Sequence, residues 1–173
     1  MALTKAKFTM ISSASFAPAS GISSGAGTIF KSSVLKHDDL ITTTMVIDLT
    51  GLNSGGSPGD IIGVNGGAAS YIAQITAANN GTVLGVSMTC LEAPAGGDAD
   101  IDLYSATEAT GSEDSPISGL TETQIINSGT LSLGSVLYAS NISADQYLYL
   151  VGQGSSSATY SAGRILIEIT GYK

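Results

Sequence analysis

From Leu35 onward, apolar and polar residues alternate in short runs. Ile41, Thr43, Met45, Ile47 and Leu49 fall on one parity, and Thr42, Thr44, Val46 and Asp48 on the other. Successive side chains of a strand point to opposite faces, so this run predicts a strand with one buried face. Residues 164–172 repeat the pattern, with Ile165, Ile167 and Ile169 on one side and Arg164, Leu166 and Glu168 on the other. Shorter strand patterns occupy residues 61–64, 71–77, 82–92, 101–106, 123–133 and 147–152. Turn chemistry separates them: a Gly/Ser loop at 51–60, Asn65-Gly66-Gly67, Asn79-Asn80-Gly81, Pro94-Ala95-Gly96-Gly97 and a polar loop at 107–120. Asn-Gly supplies the positive φ of a two-residue turn, so a tight hairpin is expected at 79–81. No window sustains helical apolar spacing, and no repeat recurs at solenoid or propeller periods. The pattern predicts an all-β fold, an antiparallel β-sandwich or jelly roll of about eight strands.

The first 33 residues break this pattern. Residues 1–33 are rich in Ser, Gly and Ala, and no period lasts more than a few residues. Such segments cannot bury enough apolar surface to offset their ordering entropy. Phe8, Met10, Ile11 and Phe16 nevertheless stand in it as anchors. The expected organisation is an extended N-terminal arm over 1–33, ordered against a partner by those anchors, and a sandwich domain over 34–173. A tail folded back on its own domain is the alternative.

Composition narrows the function. Charged residues make up 12% of the chain, about half the usual share. The scarcity of Lys, Glu and Arg, with plentiful Thr, Ile, Val and Tyr, favours strands over helices. Only six basic residues oppose fourteen acidic ones, for a net charge of −8. Nucleic-acid binding needs a basic stripe to displace counterions, so none is expected. No apolar run is long enough for a secretory signal or a membrane span. Cys90 is the single cysteine, which rules out an intrachain disulfide and suits a small buried hydrophobe.

Reactive constellations are scarce. His37 is the only histidine, and beside Asp38 and Asp39 it reads as a solvated or capping group. Gly21-Ile22-Ser23-Ser24-Gly25 matches a nucleophile elbow in letters but lacks the preceding strand that the motif requires. The stretch 25–32 places Phe30 where a phosphate loop needs Gly. Asp98, Asp100 and Asp102 are spaced by two, which places them on one face of a strand. They read either as a solvated acidic edge or as hard oxygen donors to a structural cation. The EF-hand pattern is absent, because Leu103 holds the position that requires Gly. Seven tyrosines suit half-buried strand positions and interfaces, or a platform for sugars. No cofactor is expected, and an enzyme is not.

The opening Met1-Ala2-Leu3-Thr4-Lys5-Ala6-Lys7-Phe8-Thr9-Met10-Ile11 resembles the leader of many tailed-phage spike and appendage proteins. The stretches 91–104 and 146–152 look like structural proteins of marine and cyanobacterial phages. No β-helix with its repeats follows the leader here, which departs from the spike pattern. The resemblance implies a virion location and a leader that attaches the protein to the particle. The expectation is a capsid decoration or cement protein on the capsid exterior, homo-oligomeric and trimeric, whose arm binds the major capsid protein or other virion proteins. The alternative is a tail, fibre or spike component that binds host glycans, with loops 53–60, 107–120 and 152–162 as candidate contacts.

Overall fold

The structure, a computed structural model, describes residues 9–11, 17–25, 27, 30–140 and 142–173. In chain order these form β1 (Thr9–Ile11), α1 (Ser20–Ser23), β2 (Phe30–His37), β3 (Leu40–Asp48), β4 (Asn53–Ser54) and β5 (Asp60–Ile61). Then come α2 (Ala77–Asn80), β6 (Thr82–Ala95), β7 (Ile101–Ala106), a 3-10 turn (Ile117–Gly119), β8 (Glu122–Ile126) and β9 (Val136–Ala139). The last three strands are β10 (Tyr147–Gly152), β11 (Ala158–Thr159) and β12 (Ala162–Tyr172).

The fold is all-β and antiparallel, as the alternating pattern implied. A six-stranded sheet runs β1-β2-β3-β12-β6-β9, and a four-stranded sheet runs β5-β10-β7-β8. A small ribbon pairs β11 with β4. The core lies between the two large sheets. Ile41, Met45, Ile47, Val86, Met88, Cys90, Ile165, Ile167 and Ile169 come from the first sheet, and Ile101, Leu103, Leu148 and Leu150 from the second. The same-face sets read from residues 41–49 and 164–172 are the buried sets. Each fully buried Ile or Leu contributes about 1.5–3 kcal/mol relative to exposure.

The central position belongs to β12. Its residues pair with β3 along Arg164↔Asp48 to Tyr172↔Leu40, and with β6 along the opposite edge. A bulge interrupts the β6 side, because Thr170 faces Gly85 while Gly171 faces Val83, which leaves Leu84 as the extra residue. Such an insertion re-aims the local side chain.

The sequence boundary at 33/34 falls inside β2, which starts at Phe30 and pairs with β3 over its full length. Residues 17–25 also lie on the body rather than away from it. Ile22 is fully buried in the main core. The Ala19 and Gly21 amides donate to the Tyr71 and Ala69 carbonyls, and Gly21 accepts from the Val64 amide. Gly is needed at 21 because a Cβ there would stand 2.2 Å from the Ala68 carbonyl oxygen. For this part of the segment, the folded-back alternative describes the structure.

The hairpin expected at 79–81 is not there. Thr76 caps a single helical turn instead, its hydroxyl accepting from the Asn79 amide. The Asn80 side chain accepts from the Thr76 amide and donates to Thr43 Oγ1, so it is buried and satisfied. Gly81, at φ 63, ends the turn and delivers the chain into β6. The Asn-Gly pair therefore terminates a capped turn, a role that uses the same positive φ. The strand expected at 71–77 is reduced to an isolated bridge at Gln74.

Candidate functional site

The acidic trio does not form a solvated edge. Asp102 lies on β7, on the outer side of the four-stranded sheet with Tyr104 and Ala106, whereas Asp98 and Asp100 precede that strand. Asp98 and Asp102 are buried. Asp98 Oδ2 accepts from the Gly154 amide at 3.1 Å. Asp102 accepts from Gln124 Nε2 and from the Ser128 amide, both at 2.7 Å. These carboxylates therefore act as loop fasteners. Asp100 Oδ1 is buried without a hydrogen-bond partner among the described residues. Burial, then the Asp102 and Asp98 charges, push the Asp100 carboxyl up. Burial also raises Asp98, against its backbone hydrogen bonds and with help from Asp60. Among the described residues no group of three His, Cys, Asp or Glu side chains could hold a metal ion. Asp98, Asp100 and Asp102 are not brought into one coordination shell.

The three loops named as candidate glycan contacts under the alternative reading are packed against one another. Gly56 donates to Asp114 Oδ1 at 2.9 Å, and Ser57 to Asp60 Oδ2 at 2.8 Å. The Gly59 amide donates to the Gly152 carbonyl, and Ile117 to that of Gly59. Tyr160 is buried, its hydroxyl donating to the Asp98 carbonyl at 2.9 Å. Loop 107–120 closes over the outer face of the four-stranded sheet. There Ile61, Ala106, Ile117, Tyr149 and Val151 form a second apolar cluster, edged by Tyr71, Tyr104, Leu120 and Tyr147. Tyr149 Oη donates to the Glu108 carbonyl at 2.8 Å and accepts from the Gly111 amide. Burial pushes its hydroxyl up to about 12. Sequence reasoning missed this cluster, although a signal was present: residues 147–152 are apolar on both parities, the mark of a strand buried on both faces.

The outer face of the six-stranded sheet is the contrasting surface. Leu35, Leu40, Leu84, Leu91, Leu133, Val136, Tyr138 and Tyr172 are exposed large hydrophobics, and all lie on this face or in the turn leading to β9. Ser and Thr occupy much of the ground between them. At the β2–β3 hairpin, Leu40 faces Tyr172 across the strand pair, and Leu35 lies on the neighbouring row opposite Thr42. Beside it β1 pairs with β2, with Met10 opposite Leu35 and Ile11 opposite Val34. The other two anchors, Phe8 and Phe16, lie outside the described residues. At the far end, Arg164 pairs with Asp48 at 2.8 Å. Burial pushes Asp48 up, but hydrogen bonds from Arg164 and Thr50 more than offset it and hold the carboxyl below its usual range.

Toward β9 the same face carries an open groove of about 400 Å³, lined by Thr42, Leu84, Gly85, Ser87, Tyr138, Glu168 and Thr170 among others. Two register rows build it. Tyr138, Ser87 and Glu168 stand opposite one another across β9, β6 and β12, and Gly85, Thr170 and Thr42 form the next row across β6, β12 and β3. Tyr138 is 79% exposed.

The remaining sequence candidates carry no site. His37 sits at the tip of the β2–β3 hairpin, its Nδ1 3.9 Å from the Asp38 carboxylate. Ser23 lies in α1 and donates to the Ala19 carbonyl, and no strand among the described residues leads directly into that turn. Cys90 is buried in the core, its thiol pushed up by burial. No helix among the described residues is long and apolar enough to cross a membrane. No family model, no curated protein and no solved structure matches the chain.

Proposed function

We propose that the chain is a structural component of a virion, a capsid decoration or cement protein that acts by binding and not by catalysis. The observation that carries this reading is the exposed patch of Leu35, Leu40 and Tyr172 directly beside the β1–β2 edge where the leader joins the sheet. One partner surface can therefore engage the leader and the patch together. Contiguous exposed apolar residues of this kind mark protein-interaction sites. A low charge density lowers the desolvation penalty of packing such a face against another protein. The partners are the major capsid protein or other virion proteins, with a second and third copy of the chain completing a trimer. Binding only the assembled shell stabilises it by mass action.

Two variants test this on isolated particles. Removing residues 1–16 and replacing Leu40→Asp should each strip the protein from the shell while leaving the sandwich folded, as read by circular dichroism. Unchanged occupancy in both variants defeats the reading. Copy number per particle separates it from a tail or fibre component, which would be present in far fewer copies.

A further inference from the structure

We propose that the groove between β9 and β12 is a saccharide-binding site that seats one neutral sugar ring between Tyr138 and Glu168. Binding at this groove does not depend on where the protein sits in a particle. Tyr138 presents its ring almost entirely to solvent. An exposed aromatic ring offers a flat amphipathic surface that gains by covering an apolar face, and the C–H face of a pyranose is such a partner. Glu168 lies two strands away in the same row, which sets about 9.5 Å between the backbones. The floor between them is low because Ser87 is small and Gly85 has no side chain.

Polar groups converge on that space. The Glu168 carboxylate takes part in none of the ion pairs found among the described residues. Ionised, it is an acceptor only, suited to hydroxyl donors. Thr42, Ser87 and Thr170 add hydroxyls that both donate and accept. Leu84, the extra residue of the bulge, also lines the groove. A few placed polar groups around an apolar surface is the usual constitution of a small-molecule site.

Charge selects among ligands. No Lys or Arg lines the groove, and the chain carries −8 overall. Phosphorylated, sulfated and carboxylated sugars are therefore disfavoured, leaving neutral rings rich in hydroxyl donors.

The test is a titration of the isotope-labelled full chain with methyl glycosides of glucose, galactose, mannose and N-acetylglucosamine, followed by amide chemical shifts. At least one glycoside should cause saturable millimolar shifts confined to Leu84, Gly85, Ser87, Tyr138 and Thr170. Tyr138→Ala and Glu168→Gln should each weaken that binding by about tenfold or more. Leu133→Ser, equally exposed but outside the groove, should bind as the unaltered chain does. Because Tyr138 is so exposed, its variant keeps a dispersed spectrum, so lost binding is not lost folding. The proposal is overturned if none of the glycosides shifts these amides, if both groove variants bind normally, or if tetramethylammonium alone gives the response.

Discussion

The four-stranded and six-stranded sheets share one core, yet their outer faces are finished in opposite ways. On the smaller sheet, Tyr149 and Val151 point outward from β10 and are sealed by loop 107–120. On the larger sheet, Tyr138 and Val136 point outward from β9 and remain open. The same residue types are used on both. The difference lies in what the chain lays over them: Ile117 and Leu120 on one side, and no described segment across the β6–β9 half of the other. An aromatic face covered by its own chain contributes to stability, whereas one left bare is available to a partner. The two tyrosines thus differ in whether their own chain covers them.

Substitutions should split along that line. Tyr149→Ala should have the largest effect, a loss of about 3–5 kcal/mol in urea denaturation, because a buried ring and its two loop hydrogen bonds disappear together. Limited proteolysis should then cut first within 107–120. A loss below about 1 kcal/mol would mean that the loop is held by its backbone alone.

A smaller effect is expected at Asp100 and Asp48. Asp100→Asn removes a poorly partnered ionised carboxylate and should raise stability at neutral pH by about 1 kcal/mol. The sign follows from the raised Asp100 pKa. Its favourable contribution is complete below the unfolded value and is lost as pH rises through the folded value. The gain from Asp100→Asn should therefore vanish in acid. Asp48 runs the other way: its contribution is present above the unfolded value and is lost as pH falls through the lowered one. Asp48→Asn should thus be most damaging near neutrality. Parallel denaturation curves at pH 7 and in acid check both signs.

The smallest effect is expected on the open face. Tyr138→Ala and Leu133→Ser should each change stability by less than about 0.5 kcal/mol. A larger loss at Tyr138 would mean that the open face contributes to the fold after all.

The alternation of β3 and β12 was legible in the sequence because each has one buried face, and parity then sorts core from surface. The bounds of β7 and β10 were legible for a related reason, being short apolar runs between turn residues. What escaped was decided by contacts distant in sequence. Thr76 and Thr43 both bond Asn80, which converts an Asn-Gly hairpin signal into a capped helical turn. Ile22 looks like an isolated apolar residue in a Ser/Gly segment until the close approach of Gly21 to Ala68–Ser70 draws it into the core. Of the three aspartates only Asp102 lies within a strand, and spacing by two does not say whether a side chain meets water or a loop. Neither open-face patch was visible, because both are assembled by register between strands far apart along the chain.

The place of β12 has a consequence for how the protein is made. Every strand it joins precedes it, so β1-β2-β3 and β6-β9 remain two unconnected ribbons until residues 162–172 emerge from the ribosome. The nascent chain therefore carries two bare inner edges, on β3 and β6, that only its own late-arriving strand fits in register. Completion of the large sheet waits for that strand, which closes a seam that would otherwise invite pairing between neighbouring unfinished chains.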